Sequence, residues 1–149
     1  MTVSVICNHN VATIPASDGV TDAAVRMREE HVGTLLVVER SGSAHVPVGI
    51  VTDRDIVVGV VAKRVAADSL TVGDIMTRNP LTVREDDAIA FALREMRRRG
   101  VRRAPVVGKR GELVGIVSLD DVIQHLAMQL GRLADAIRIE QDTEARIKP

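Results

Sequence analysis

The 149-residue chain is nearly devoid of aromatic side chains: it has no Trp, no Tyr and a single Phe, Phe91. Val, Ile, Leu, Ala and Met must therefore fill its interior, and a single-strand binder that stacks successive bases on aromatic rings is excluded. Charge of one sign is also lacking, since 20 Lys plus Arg balance 20 Asp plus Glu. A dedicated DNA or RNA protein carries a basic excess, so no nucleic-acid partner is expected. Cysteine occurs once, at Cys7, which rules out an intramolecular disulfide and a multi-cysteine zinc cluster and fits a reducing compartment. Long apolar runs are missing: the stretches 32–38 and 56–62 fall far short of the roughly 20 residues of a spanning helix. No membrane partner is expected. The first residues show no basic stretch leading into an apolar segment and a small-residue cleavage site, so no signal peptide is read and the expected location is the cytoplasm.

What is present is a globular composition, 46% hydrophobic and 27% charged, enough for one domain or two very small ones. The chain also repeats itself. From Val3 to Val38 it matches Val72 to Val107 at a shift of 69 positions, with Val3, Ile6, Asn10, Thr13, Ala23, Met27, Val32 and Val38 meeting identical residues. The shift then falls to 66, pairing Gly49, Ile50, Val51, Thr52 and Asp55 with Gly115, Ile116, Val117, Ser118 and Asp121. The difference lies in two turns, Ser41 to Ser43 and Gly108 to Gly111.

Apolar residues at helical spacing (Val20, Ala23, Ala24, Met27; then Ile89, Ala92, Leu93, Met96) mark one amphipathic helix per copy. Two β-rich runs and a closing helix follow each. The expected fold class is α/β (α+β): two tandem β-α-β-β-α repeats of about 60 residues, each too small to bury a large core alone. The division expected is 3–64 for the first repeat, 65–71 for a linker, 72–130 for the second repeat and 131–149 for a C-terminal helical extension. The last helix, which continues from the second repeat into the extension, carries an apolar stripe, Leu126, Leu130, Leu133, Ala134 and Ile137. Leu126 and Leu130 are expected to pack within the chain, and Ile137 onward against a dimer mate or partner.

The sharpest chemical signal is the pair of segments GIVTDRD (49–55) and GIVSLDD (115–121). Each ends a strand in a hydroxyl residue with a carboxylate three positions on. One reading is a capping box that satisfies the free N–H groups of a helix start. The other uses the same geometry for a ligand: free N–H groups and the hydroxyl donate to a phosphate, and the Asp accepts both hydroxyls of a ribose. The spacing alone leaves both open.

The twofold repeat, the doubled Gly-Ile-Val-(Thr/Ser)-x-x-Asp, the VGDIMTRNPLTV run (72–83) and VRRAPVV (101–107) together resemble a tandem cystathionine-β-synthase (CBS) domain pair, or Bateman module, over about residues 3–130. The resemblance implies a pseudo-twofold module with two clefts between the copies that bind an adenosine compound: AMP, ADP, ATP, S-adenosylmethionine or a dinucleotide such as NAD. It implies ribose contacts from Asp55 and Asp121, and phosphate or hydroxyl contacts from Thr52, Ser118 and Arg102. Adenine or backbone contacts are implied at Thr13, Ile14, Thr82, Val83 and Pro105. Gly33 stands where Arg102 would have its counterpart, so the clefts should differ, with the one containing Arg102 and Asp121 the better phosphate binder. Asp53 is expected near the first cleft, where its charge opposes a polyphosphate. The family further implies a homodimer and an effector protein, with the adenine nucleotide as regulatory ligand and no required cofactor.

Competing chemistries fare poorly. Cys7 and His9 are zinc-ligand types, but two ligands do not make a site and CNHN is the repeat counterpart of MTRN. His31, His45 and His125 stand without a neighbouring nucleophile. Gly108 and Lys109 lack the spacing of a phosphate loop. Arg97 to Arg99 read as a solvated helix end that complements its dipole. No enzyme activity is expected.

Overall fold

A computed structural model describes residues 1–147; the last two residues of the expected extension lie outside them. The first copy contains β1 (Thr13–Ile14), α1 (Val20–Glu30), β2 (Thr34–Ser41), β3 (Ala44–Thr52) and α2 (Asp53–Ile56), the last running into a π-helical turn at Val57–Val61. The second contains α3 (Val72–Ile75), β4 (Thr77–Arg78), β5 (Val83–Arg84), α4 (Ile89–Arg99), β6 (Arg103–Val107), β7 (Leu113–Ser118) and α5 (Leu119–Ile147). The fold is the expected mixed α/β pair with a long C-terminal helix.

The amphipathic helices form where the periodicity places them. Val20, Ala23 and Met27 are buried on α1, and Ala92 and Met96 on α4. Both helices stop at a left-handed residue, His31 (φ 54°) and its counterpart Gly100 (φ 65°), the usual C-terminal device for satisfying the last carbonyls. In each copy a short strand then runs parallel to the first strand of a hairpin: Thr13 beside Leu36, and Val83 beside Val106.

The sequence repeats do not fold separately, because each sends its leading segment into the other. β4, which begins the second copy, adds antiparallel to β3 of the first, with Gly49 beside Arg78 and Ile50 beside Thr77. In the mirror arrangement Asn8 bridges to Ile116 of β7, with N–H···O distances of 2.8 and 2.9 Å. Val72 N–H donates to Asp18 C=O, and Val3 N–H to Asp87 C=O.

The cores follow the same exchange. Val72 is buried among Ile14, Ala23, Met27, Leu35, Val37 and Val51. Val3 and Cys7 are buried among Val83, Ala92, Met96, Ala104, Val106 and Val117. There are thus two cores, each completed by the other copy. The exchange gives two small units the shared burial that neither supplies alone.

Candidate functional site

Both Gly-Ile-Val-(Thr/Ser)-x-x-Asp segments form capping boxes. Thr52 N–H and Thr52 Oγ1–H donate to Asp55 Oδ2 at 2.8 and 2.9 Å, and Asp55 N–H donates back to Thr52 Oγ1 at 3.2 Å. Ser118 and Asp121 repeat this at 2.7, 2.6 and 3.2 Å. The hydroxyl protons are thus committed to the carboxylates, and each hydroxyl offers a ligand a lone pair rather than a donor. Oδ1 of Asp55 and of Asp121 has no hydrogen-bond partner among the described residues. Thr71 and Asp74 form a matching box, 2.8 and 2.9 Å, at the start of α3. Capping geometry therefore does not by itself distinguish a ligand site from a helix start. At Asp74 the backbone N–H and then the hydroxyl of Thr71 hold the carboxyl below its ordinary pKa.

Because the leading segments are exchanged, each cleft is built from both copies. The larger, about 570 Å³, has Ile50, Thr52 and Arg54 of the first copy on one wall. Residues 77–81 of the second copy adjoin them, Thr77 pairing with Ile50 in the sheet, and residues 99–103 of the second copy and Thr34 complete the lining. This volume lies within the range of small-molecule sites. The smaller, about 300 Å³, is its pseudo-twofold counterpart, lined by Asn8, Asn10, Val11, Ala12, residues 31–34, Arg103 and Ile116. Thr34 and Arg103 reach both clefts, and Arg103 Nη1 donates to Thr34 Oγ1 at 3.2 Å where they meet.

This geometry corrects the expected pairing. Arg102 lines the cleft of Thr52, not one containing Asp121; its nearest carboxylate is Asp120, at 3.6 Å. The cause is the exchange, which sets the second copy's Arg102 opposite the first copy's motif. Asp53 is displaced as well: its N–H donates to Gly33 C=O, and a Cβ built on Gly33 would lie 2.8 Å from its carboxylate. Its charge therefore stands beside Gly33 of the smaller cleft. Asp55 lines a separate hollow of about 370 Å³ with Lys63 and Asp74, and Asp121 one of about 170 Å³ with Gln124 and His125.

Among the positions assigned to adenine, Ile14, Val83 and Pro105 are buried core residues, and Thr13 and Thr82 adjoin them. The neighbouring residues Val11 and Ala12, and Pro80 and Leu81, line the clefts instead. Arg99, read as a solvated helix end, lines the larger cleft together with Arg54 and Arg78. These three escaped sequence reasoning, although comparing charges between the copies would have exposed them: their counterparts are Glu30, Asp120 and His9.

Cys7 Sγ lies 3.7 Å from His9 Nε2, and His9 Nδ1 is 3.1 Å from Val114 C=O. Burial pushes the thiol pKa up, with a smaller upward push from Glu85 and Asp121. No cluster of three or more potential metal-binding His, Cys, Asp or Glu occurs among the described residues. Nor is any helix there long and apolar enough to cross a membrane.

Several known proteins share this architecture. The chain is 32% identical over 124 residues to an uncharacterized protein of Methanopyrus kandleri, a match covering 83% of this chain and 62% of that protein. A CBS domain protein from Pyrobaculum aerophilum complexed with AMP superposes with a TM-score of 0.73 at 28% identity, over 86% of this chain and 99% of that one. A CBS domain pair in complex with 5'-methylthioadenosine and S-adenosyl-L-methionine gives 0.71 at 27% identity, over 87% and 98%. The CBS domain profile itself matches twice, at residues 3–61 and 72–128, and on that match the chain belongs to the CBS-domain family.

Proposed function

We propose that the protein is a cytoplasmic regulatory module that binds an adenosine-containing nucleotide between its copies and passes the resulting change to an effector protein. The observation that carries this reading is the 570 Å³ cleft, which sets Thr52 of one copy against Arg102 and Arg103 of the other. A ligand there touches both copies. It biases their relative orientation only as far as its affinity differs between two arrangements. Supporting the ligand class are the relatives whose structures hold AMP, or methylthioadenosine and S-adenosylmethionine. In this reading Asp55, tied through Oδ2 to Thr52 at the edge of the larger cleft, turns Oδ1 to the ribose from outside the arginine lining, and the arginines take the phosphate. Asp121 and Ser118 play the corresponding part for the smaller cleft. Catalysis and a required cofactor have no place in the scheme.

A thermal-shift panel with AMP, ADP, ATP, NAD, S-adenosylmethionine and a GTP control tests it. A ligand at 100 times its Kd stabilises by about 2.7 kcal/mol, and each kcal/mol raises Tm by roughly 2–4 °C at this size. A selective response to an adenosine compound, reduced in Asp55→Ala, is expected. Silence across the panel would overturn the reading.

A second reading, an interaction dimer whose motif residues only cap helices, is favoured by one observation. On α5, Ile123, Leu126, Leu130, Leu133 and Ile137 recur at alternating steps of three and four, each more than half exposed. That is a coiled-coil seam. Its flanks, Ala127, Gln129, Ala134 and Ala136, are uncharged, so nothing repels a second copy of the same helix. The two readings are compatible, and we propose a homodimer through this seam.

A further inference from the structure

We infer that the Thr52 cleft is a single receptor for a polyphosphate, and that its pseudo-twofold partner holds no such anion. This deepens the nucleotide reading and rests on it. Five guanidinium groups, Arg54, Arg78, Arg99, Arg102 and Arg103, line the larger cleft, and no carboxylate does. In a chain of zero formal net charge that is a strong local excess, and like charges gathered in one cavity repel unless an anion joins them.

Ordinary structural roles leave much of the cluster unexplained. Arg78 Nη2 donates to Gly73 C=O at 2.8 Å, Arg103 bonds Thr34, and Arg102 has Asp120 at 3.6 Å. Arg54 and Arg99 have no ion-pair partner among the described residues. A helix dipole accounts for Arg99 at the end of α4, whereas Arg54 lies in the single turn of α2, which offers it no such account.

The other copy supplies an internal control. Positions equivalent to Arg54, Arg78, Arg99 and Arg102 hold Asp120, His9, Glu30 and Gly33. The same backbone folds there without the arginines, so they serve something other than the fold. The smaller cleft keeps only the shared Arg103 as a fixed cation, with the Asp53 carboxylate against its Gly33 wall. A monophosphate brings roughly two negative charges at neutral pH. Longer phosphate chains bring more, spread along a length that guanidinium groups from α2, β4, α4 and β6 can follow.

Calorimetric titration of the full chain with ATP, AMP and inorganic tripolyphosphate, at low and high salt, tests this. The expected result is one ATP per chain, bound on the order of tenfold tighter than AMP. Tripolyphosphate displaces it, and the ATP advantage shrinks at high salt. Arg54→Ser and Arg99→Ser, both at exposed positions, bring ATP down toward AMP affinity with Tm unchanged. Equal affinity for ATP and AMP, two ATP per chain, failure of tripolyphosphate to compete, or arginine variants that bind ATP normally would each overturn the inference and leave the nucleotide reading standing. Binding of tripolyphosphate but no nucleotide would overturn that reading and leave the polyphosphate receptor. Binding of none of the three would overturn both.

Discussion

At Gly115 a methyl group has nowhere to go: a Cβ there would lie 2.7 Å from the carbonyl oxygen of Asn8 and 3.3 Å from Cys7 Sγ. Gly49, its counterpart, faces chiefly Met76, whose Sδ would lie 2.5 Å away. The two glycines are where the exchanged segments cross the hairpin strands, so the Gly of each Gly-Ile-Val is a packing requirement before it is a motif. Gly115→Ala must push backbone and should cost about 1–3 kcal/mol, as overpacking does. Gly49→Ala should cost less, because a methionine side chain can swing aside. Urea denaturation checks the order, and equal midpoints would contradict the close crossing. The motif residues were legible in the sequence, whereas their neighbours were not: Arg54, Arg78 and Arg99 acquire meaning only from which wall of which cleft they reach.

Among the elements, the amphipathic helices and both hairpins were readable because their signals are local. Apolar spacing set α1 and α4, and the turn glycines set the hairpins, with Gly42 and Gly111 both at positive φ. The start of α5 was readable too, but its packing was not. Leu126 and Leu130 are 54% and 67% exposed, and Val122 is the buried residue of this helix. The stripe stays largely exposed because the helix, 29 residues and thus about 44 Å long, turns its Gln124, His125 and Met128 side toward Val5 and Ile6 and then runs on past them. Its seam then needs a second copy. Sedimentation at micromolar concentration should give a dimer, and a Leu130→Glu/Leu133→Glu variant a monomer with the nucleotide response retained. A monomeric parent chain would contradict the seam.

For the molecule as a whole, the exchange of leading segments is what the repeat concealed. Self-alignment pairs Asn8 with Thr77 and Val3 with Val72 as equivalents, which they are. It says nothing of which copy's sheet each joins, because long-range pairing leaves no local trace. The exchange places Arg102 with Thr52 rather than with Asp121 and sets the charges of the two clefts apart. It also explains how a ligand in either cleft touches both copies, which is the mechanical basis of the regulatory reading.

The most direct test of the account is a titration of the isotope-labelled chain with ATP, followed by amide NMR shifts. The changes should concentrate at Ile50 to Asp55, Thr77 to Leu81 and Arg99 to Arg103, around one cleft. Those at Asn8 to Ala12 and His31 to Gly33 should be small. No change, or changes confined to the smaller cleft, would contradict it.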